Sequence, residues 1–494
     1  MSIEVHCAAP LRSAPNPYAC GRRIRVHSRR EFLERSSFGF GALALAGLLS
    51  RKTLASETAV MEKALLSPRP PHFAGKAKHV IFLFMTGGPS HMDTFDPKPE
   101  LQRRDGQPLP ESFKTEGLNL QFMKATEGKL MGSPFQFRSY GQSGIQISEL
   151  FTQLASHADD LAILRSCHHG SFIHGPALGL LHSGSVRLGH PSIGAWVTYG
   201  LGCESDNLPA YMVMSDGGFR AGNTVSYGSG FLPAIYQGTV IRSEGAPIQN
   251  LTPAFQAADQ RSILDQVQHW NRRYQEDRTD DSRLAARLAN YELAFRMQMA
   301  APDLIDISKE SSAVREAYGA EKEPTAKFGR LCLLARRMVE RGVRYVHLYN
   351  NDWDGHGECA KNHRENARRI DQPIAALIAD LKQRGLLEST LLVWTGEFGR
   401  TPVMQGSRGR DHNPYGFSAW LCGGGIRGGK VIGQTDDFGF QAVADKVSVH
   451  DFHGTILGLL GIDHERLTYP FEGRQQRLTD VFGHNHLTDR LTRA

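Results

Sequence analysis

Four short stretches of the sequence concentrate aspartate, glutamate and histidine, the side chains that most often bind divalent metal ions. They contain His91, Asp93 and Asp96; His168, His169 and His174; Asp352, Asp354 and His356; and Glu397, Arg400 and His412. Carboxylate oxygens and imidazole nitrogens suit ions such as Zn²⁺, Mn²⁺, Mg²⁺ or Ca²⁺. Two ions held close together can stabilise both the attacking and the leaving oxygen of an in-line displacement. The residue types therefore predict one or two divalent ions.

Each stretch follows a short apolar run that predicts a β-strand. These runs cover residues 80–85, 161–164, 344–349 and 390–395, and a further run covers 211–214. Continuous apolar runs are typical of strands buried on both faces of a parallel sheet, and such sheets bind ligands at the carboxyl ends of their strands. A single Asp-x-His sequence after a strand usually forms a turn. Four groups of metal-binding residue types, each after a predicted strand, indicate a site.

The remaining patterns predict an α/β fold, with a central largely parallel sheet and helices on both faces. Helical spacing of apolar residues from 366 to 384 places a helix, and so a right-handed crossover, between the last two strands. A helical insertion is expected at about 255–340. We interpret residues 57–75 as a linker and residues 76–494 as one domain. The five cysteines after residue 56 are odd in number and form no C-x-x-C pair, so a disulfide framework is not expected.

Residues 1–56 are predicted to be a twin-arginine export signal. The sequence Ser28-Arg-Arg-Glu-Phe-Leu33 precedes an uncharged run of 14 residues, which is too short to span a bilayer. This segment holds nine basic and three acidic groups, so it carries the whole net charge of +6 and leaves 48 of each sign in the rest. We expect a periplasmic or extracellular protein that the twin-arginine machinery exports, without a transmembrane anchor in its mature form. Its balanced charge gives no reason to expect nucleic-acid binding.

Several motifs resemble those of the DUF1501 family of exported proteins. They are Leu83-Phe-Met-Thr-Gly-Gly-Pro-Ser-His-Met-Asp-Thr-Phe-Asp-Pro-Lys-Pro99, His190-Pro-Ser-Ile-Gly-Ala-Trp-Val-Thr-Tyr-Gly-Leu-Gly202, Trp353-Asp-Gly-His356 and Gly396-Glu-Phe-Gly-Arg-Thr-Pro402. The resemblance runs from about Lys76 to the C-terminus. That family resembles the alkaline phosphatase and sulfatase superfamily, which implies an alkaline-phosphatase-like fold and the hydrolysis of phosphate or sulfate esters.

The resemblance also implies a set of metal ligands. Asp352 and His356 resemble the D-x-x-x-H metal pair of the superfamily, and His412 resembles its last metal-binding histidine. The superfamily has Asp-His at the end of the next strand, whereas this chain has Glu397-Phe398 and so keeps only the carboxylate. The implied ligands are Asp352, His356 and His412 for one ion, and Glu397 with Asp93 or His91 for a second.

Three further residues are expected to take part in catalysis. His174 stands where sulfatases carry the Cys or Ser that becomes formylglycine, so phosphate esters are preferred over sulfate esters. It could act as nucleophile, as general acid or base, or as a metal ligand. Asp354 would orient a ligand, and Arg400 would bind an anionic substrate or neutralise nearby carboxylates. His168 and His169 are expected to be solvent-exposed loop residues.

Two functional hypotheses follow. The leading one is an extracytoplasmic metal-dependent hydrolase that acts on a small-molecule or glycan ester. The alternative is a non-catalytic module with the same fold, which binds a glycan or a partner protein in the cell envelope. The departures from the superfamily pattern at His174 and Phe398 favour this alternative, because a fold does not fix a function.

Overall fold

The computed structural model describes residues 66–111, 113, 128–217, 224–242, 256–276 and 282–493. The predicted export signal and the first part of the predicted linker lie outside the described residues. The rest of the linker is held by backbone hydrogen bonds, from Arg69 to Leu201 at 2.9 Å and from His72 to Gly461 at 2.8 Å. All described residues belong to one compact unit, Ala55–Ala494.

The strands and helices are numbered along the chain. The strands are β1 His79–Met85, β2 Phe137–Tyr140, β3 Ile145–Ser148, β4 Leu161–His168, β5 Tyr211–Ser215, β6 Thr239–Ile241, β7 Tyr345–Asn350, β8 Thr390–Thr395, β9 Gly399–Gln405, β10 Gly409–Asn413, β11 Phe417–Gly423, β12 Lys430–Ile432, β13 Gln434–Thr435, β14 Ala442–Ala444, β15 Val447–Ser448, β16 Tyr469–Phe471 and β17 Arg474–Gln476. The helices are α1 His91–Thr94, α2 Pro99–Arg103, α3 His174–Ser183, α4 Ile193–Leu201, α5 Thr224–Tyr227, α6 Ala257–Glu276, α7 Ser282–Ile305, α8 Ser312–Ala317, α9 Ala326–Glu340, α10 Cys359–Gln383, α11 Val449–Leu459 and α12 Thr488–Thr492.

The central sheet contains all five strands that the sequence predicts. Its order is β12-β4-β11-β8-β1-β7-β5-β6, and β15 also pairs with β4. The strand β11 runs antiparallel to β4 and β8, and the other pairings in this sheet are parallel. Because β1, β4, β7 and β8 point the same way, the turns that follow them meet at one edge of the sheet, the C-terminal edge. The predicted α/β class and largely parallel sheet are confirmed.

Helices cover both faces of the sheet. Side chains of β1 alternate between two hydrophobic cores, as the pleat of a strand requires. Leu83 joins a core with side chains of α9 and α10, whereas Phe84 joins a core with side chains of α4 and α11. Burying each such side chain stabilises the fold by about 1.5–3 kcal/mol. The strand β1 is therefore packed against helices on both faces of the sheet. The turn that follows β1 is thus a rigid position for a functional site.

The chain between β6 and β7 is helical where it is described, with α6, α7, α8 and α9 in the predicted insertion. The crossover helix α10 begins at Cys359, earlier than the predicted 366. Its first two turns bury only Cys359 and His363, so apolar spacing alone does not reveal them. The five cysteines of the described residues are buried and free. No described helix is both long enough and apolar enough to cross a bilayer.

Candidate metal centre

The turns after β1, β7 and β8 pack directly against one another at the C-terminal edge. Gly87 follows β1 with φ of +114°, and its N–H donates to both carboxylate oxygens of Glu397, at 2.9 and 3.1 Å. A Cβ atom at Gly87 would lie 2.5 Å from the backbone nitrogen of Asp354. Only glycine fits here, because both the positive φ and the close approach exclude a side chain.

Four side chains converge at this edge and form what we call the histidine–aspartate cluster. They are His174, Asp354, His356 and His412, and one ligand atom of each lies within 4.8 Å of the others. His174 is the first residue of α3, Asp354 and His356 follow β7, and His412 lies on β10. The sequence predicts a role for all four, and the structure brings them together from three separate segments.

The shortest distances in the cluster involve Nε2 atoms and the Asp354 carboxylate. Nε2 of His356 lies 2.9 Å from Nε2 of His412. Asp354 Oδ1 lies 3.1 Å from His356 Nε2 and 3.3 Å from His412 Nε2. Asp354 Oδ2 lies 3.3 Å from Nε2 of His174. All three imidazoles therefore present the same ring nitrogen to one carboxylate.

The opposite ring nitrogen of each histidine is held by an oxygen atom. The Nδ1 partners are Glu397 Oε1 at 2.7 Å for His174, Gln405 Oε1 at 2.6 Å for His356, and the Phe172 carbonyl at 2.7 Å for His412. A carboxylate or carbonyl oxygen can only accept, so Nδ1 carries the proton in each pair. The lone pair of each neutral imidazole is then on Nε2 and faces the centre, which is the tautomer that a metal ligand needs.

Glu397 is itself fixed in place by its neighbours. Its side chain is fully buried, and its backbone carbonyl accepts a hydrogen bond from Nε2 of His169. The N–H of Ser171 donates to Nδ1 of the same imidazole at 3.0 Å. Burial lowers the pKa of His169 to about 4, so this ring is neutral. The expectation that His169 is a solvent-exposed loop residue is wrong, since only 9% of it is exposed.

Arg400 is buried, and each of its nitrogens donates a hydrogen bond within the protein. Nη2 donates to Asp354 Oδ1 at 2.7 Å and also to the Gly87 carbonyl. Nε donates to the Gly88 carbonyl at 2.9 Å, and Nη1 donates to the Arg410 carbonyl at 3.1 Å. These contacts leave the guanidinium committed to the turns around the cluster, where it offsets the charge of Asp354 and orients it.

The charges of the cluster are strongly coupled. Burial opposes ionisation of Asp354, but the three histidines and Arg400 outweigh it and hold the pKa of its carboxyl well below the usual range. For His174, burial is again outweighed, here by Asp354 and Glu397, and its pKa rises to about 9. Asp354 also raises the pKa of His356, whereas burial lowers the pKa of His412. Binding of a metal ion would therefore displace a proton.

The cluster fits a divalent ion in both chemistry and spacing. Three imidazoles and one carboxylate suit Zn²⁺ and other borderline ions such as Mn²⁺. In a tetrahedral site with bonds of about 2.0–2.1 Å, ligand atoms lie roughly 3.3 Å apart. The four contacts given above, at 2.9 to 3.3 Å, are close to that value, and all four ligand atoms lie within 4.8 Å of one another. Among the described residues no second group of this kind is found.

Four of the predicted ligands lie outside the cluster, and one of them, Glu397, instead accepts a hydrogen bond from Nδ1 of His174. Asp352 has φ of +77°, and its carbonyl accepts hydrogen bonds from the side chains of Asn362 and Asn366. Asp93 is buried and accepts from Arg410 at 2.8 and 3.2 Å. His91 is also buried and contacts the Gly439 carbonyl through Nε2 at 2.7 Å. The structure places Asp354, two residues after Asp352, beside His356 and His412.

Two contacts of the cluster are absent from the sequence-based expectations. Gln405 lies on β9 and reaches His356 only because the β9–β10 hairpin folds over the turn after β7. The Phe172 carbonyl is a backbone group, which no residue type reveals. No spacing pattern in the sequence distinguishes either contact.

The fold and the cluster thus define an α/β protein with a candidate metal centre at the carboxyl ends of parallel strands. The chain belongs to the family described as "Protein of unknown function (DUF1501)", whose model matches residues 77–491. No curated protein matches the chain.

Several solved structures are distantly similar. A phosphonate monoester hydrolase from Silicibacter pomeroyi is 10% identical over 84% of this chain and 76% of its own, with a TM-score of 0.35. A sulfatase from Pseudoalteromonas sp. is 12% identical over 83% and 72%, with a TM-score of 0.34. The alkaline phosphatase of the Antarctic bacterium TAB5 is 11% identical over 78% and 98%, with a TM-score of 0.30. At these TM-scores the similarities carry no argument about the activity of this chain.

Proposed function

We propose that the chain is an extracytoplasmic, metal-dependent hydrolase of phosphate or sulfate esters, with phosphate esters preferred and with an alkaline-phosphatase-like arrangement of its site. One observation carries this proposal. Three imidazole Nε2 atoms converge on the Asp354 carboxylate, while an oxygen atom holds the opposite nitrogen of each ring. A cluster arranged in this way is suited to bind a divalent ion.

In this proposal the ion is held by His174, Asp354, His356 and His412. When bound, it would supply Lewis acidity that polarises the ester oxygen and favours ionisation of water. Glu397 keeps the proton of His174 on Nδ1, so His174 acts as a ligand rather than as a nucleophile. About a third of the side chains of His174, Asp354 and His356 is exposed, at 35%, 31% and 39%. A substrate can therefore reach the centre from solvent.

The preference for phosphate esters follows from the residue at the start of α3. Position 174 is a histidine, so formylglycine, which is made from Cys or Ser, is not available there. Arg400 is a positively charged residue beside the cluster, and it donates hydrogen bonds to Asp354 and to backbone carbonyls. It would act by orienting Asp354, and the ion would carry the contact with the substrate anion.

The location is part of the same proposal. The motif Ser28-Arg-Arg-Glu-Phe-Leu33 and the uncharged run after it support export by the twin-arginine route. This route carries folded proteins, so the ion would be bound before export. Periplasmic or extracellular esters of small molecules or glycans would then be the substrates.

A second candidate function has its own support in the cluster. A tetrahedral ion with four protein ligands has no open position, and closed sites are typical of structural metals. With such an ion, the chain would be a non-catalytic module that binds a glycan or a partner protein. The two candidates differ in whether an ion held by these four residues would leave a position for water.

The experiment is metal analysis of the purified mature protein, together with turnover of an aryl phosphate and an aryl sulfate. The wild type is compared with His412→Ala and with His484→Ala, a matched control whose side chain is 63% exposed and remote from the cluster in sequence. We expect one ion per chain and phosphate turnover in the wild type and the control, and neither in His412→Ala. Bound metal without turnover of either ester would favour the binding module, and turnover that survives in His412→Ala would refute the proposed centre.

A further inference from the structure

A cavity of about 790 Å³ lies beside α10, away from the histidine–aspartate cluster. Its walls come from β2, from the segment after β3, from the loop 322–325 and from the first half of α10. The charged side chains that the argument uses are Arg138, Arg364, Arg368, Glu149 and Glu323. This volume is in the range of small-molecule and cofactor sites, which is about 300–1,000 Å³.

The three arginines have no ion-pair partner in the described part of the chain. Buried Arg336, by contrast, contacts three carboxylates. The guanidinium of Arg364 lies 5.2 Å over the ring of Phe135, which restricts its conformations. Three exposed guanidinium groups that face one cavity provide planar donors for sulfate, phosphate or carboxylate groups.

The same cavity also offers acceptors. Glu149 and Glu323 line it without an ion pair among the described residues. Asp371 lines it as well, but its carboxylate accepts the N–H groups of Gln153 and Leu154, at 3.0 and 2.8 Å. Ionised carboxylates only accept hydrogen bonds, so Glu149 and Glu323 are suited to the hydroxyl groups of a sugar. A cavity that offers both donors for anionic groups and acceptors for hydroxyl groups fits a glycan with acidic groups better than it fits a simple anion.

The cavity and the cluster share two structural elements. On α10, the side chains of Asn362 and Asn366 donate to the carbonyl of Asp352, in the turn that leads to the cluster. Arg364 lies between them in sequence, about 8 Å along the helix from its first residue at 1.5 Å per residue. The segment that carries Phe135 also pairs with β9, the strand of Gln405, through the N–H of Met131 and the carbonyl of residue 402 at 2.8 Å.

We propose that this cavity binds an oligosaccharide that carries sulfate, phosphate or carboxylate groups. Arg138, Arg364 and Arg368 bind the acidic groups, and Glu149 and Glu323 bind hydroxyls. As a statement about the substrate of the cluster this rests on the proposed function, since the cavity would hold the part of a glycan ester that does not react. The binding itself can be measured without turnover.

The test measures binding of dextran sulfate, neutral dextran and a single-stranded DNA of matched charge to the mature protein by calorimetry. The triple variant Arg138→Ala, Arg364→Ala and Arg368→Ala is compared with a control triple at Arg187, Arg474 and Arg493, all exposed arginines that do not line this cavity. Circular dichroism and melting confirm that both variants are folded. Lost charge-assisted contacts should weaken dextran sulfate binding at least about 100-fold in the first variant and less than about 3-fold in the control.

The other arms separate this proposal from the proposed function. His412→Ala should lose turnover and still bind dextran sulfate as the wild type does. Binding without any ester turnover in the wild type would support the cavity and refute the hydrolase. Equal loss in both triple variants, equal affinity for the DNA, or no binding of dextran sulfate by the wild type would overturn the cavity proposal.

Discussion

Asp93 tests how the acidic residues that follow the strands divide between metal binding and folding. The substitution Asp93→Asn keeps the size of the side chain and removes its charge. Asp93 and Arg410 are both buried, and the guanidinium reaches both carboxylate oxygens, at 2.8 and 3.2 Å. Removing one partner of such a pair leaves an uncompensated buried charge, which costs about 3–5 kcal/mol. The variant should therefore be less stable by this amount.

The size of the melting shift follows from the size of the protein. An unfolding entropy of about 2.1 cal/mol/K per residue over residues 77–491 gives about 0.9 kcal/mol/K, so Tm should fall by roughly 3–6 °C. Scanning calorimetry measures this directly. The control Asp445→Asn breaks a pair with Arg490 that is about half exposed, and should cost no more than about 1 kcal/mol.

The pH dependence of the same pair gives the test a second readout. Burial alone would raise the pKa of Asp93, but Arg410 outweighs it and the pKa in the folded protein is lowered. A lowered pKa contributes stability that is complete above the unfolded value of about 3.9 and is lost as pH falls through the folded value. The Tm difference between wild type and Asp93→Asn should thus be constant from about pH 5 to 8 and shrink below about pH 4. A Tm within 1 °C of wild type at pH 7, or lost metal at unchanged Tm, would refute the structural role.

Three further predictions concern metal affinity, measured by competition with a chromogenic chelator. Asp354→Asn should abolish metal binding, whereas Asp352→Asn should change the affinity less than about 3-fold, although Asp352 belongs to the D-x-x-x-H pattern. Equal losses of affinity in the two variants would contradict the assignment of Asp354 as the ligand. Glu397→Gln should weaken binding about 10–100-fold, because the carboxylate that orients a ligand histidine loses its charge. Gln405→Ala should weaken metal binding about 10-fold, and Gln405→Glu should restore it. Unchanged metal affinity in both Glu397→Gln and Gln405→Ala would show that these two contacts do not position the ligands.

Much of the fold could be predicted because its physical signal is local. Strands buried on both faces read as continuous apolar runs, and the five that stand out all lie in the central sheet. The strand β11 was not predicted, although it lies between β4 and β8. It follows the β9–β10 hairpin rather than a helix, so the alternation of strands and helices that predicts a parallel sheet does not reveal it.

The site could be predicted only up to the orientation of single side chains. The cluster contains three of the predicted histidines, His174, His356 and His412, because each of them lies at the C-terminal edge of the sheet. Asp352 and Asp354 lie in the same turn after β7, and residue types alone do not reveal that Asp354 is the one in the cluster or that Asp352 has a positive φ. Similarly, α1 directs Asp93 toward Arg410, a contact across more than 300 residues that sequence spacing cannot reveal.

The central claim is that one divalent ion binds among the three imidazoles and Asp354. The most direct measurement is an anomalous difference map from crystals of the protein soaked with Mn²⁺ or Zn²⁺. The account predicts one strong peak about 2.0–2.2 Å from Nε2 of His174, His356 and His412 and from an oxygen of Asp354. A peak on Asp352 or Asp93 instead, or no peak at the cluster, would contradict it.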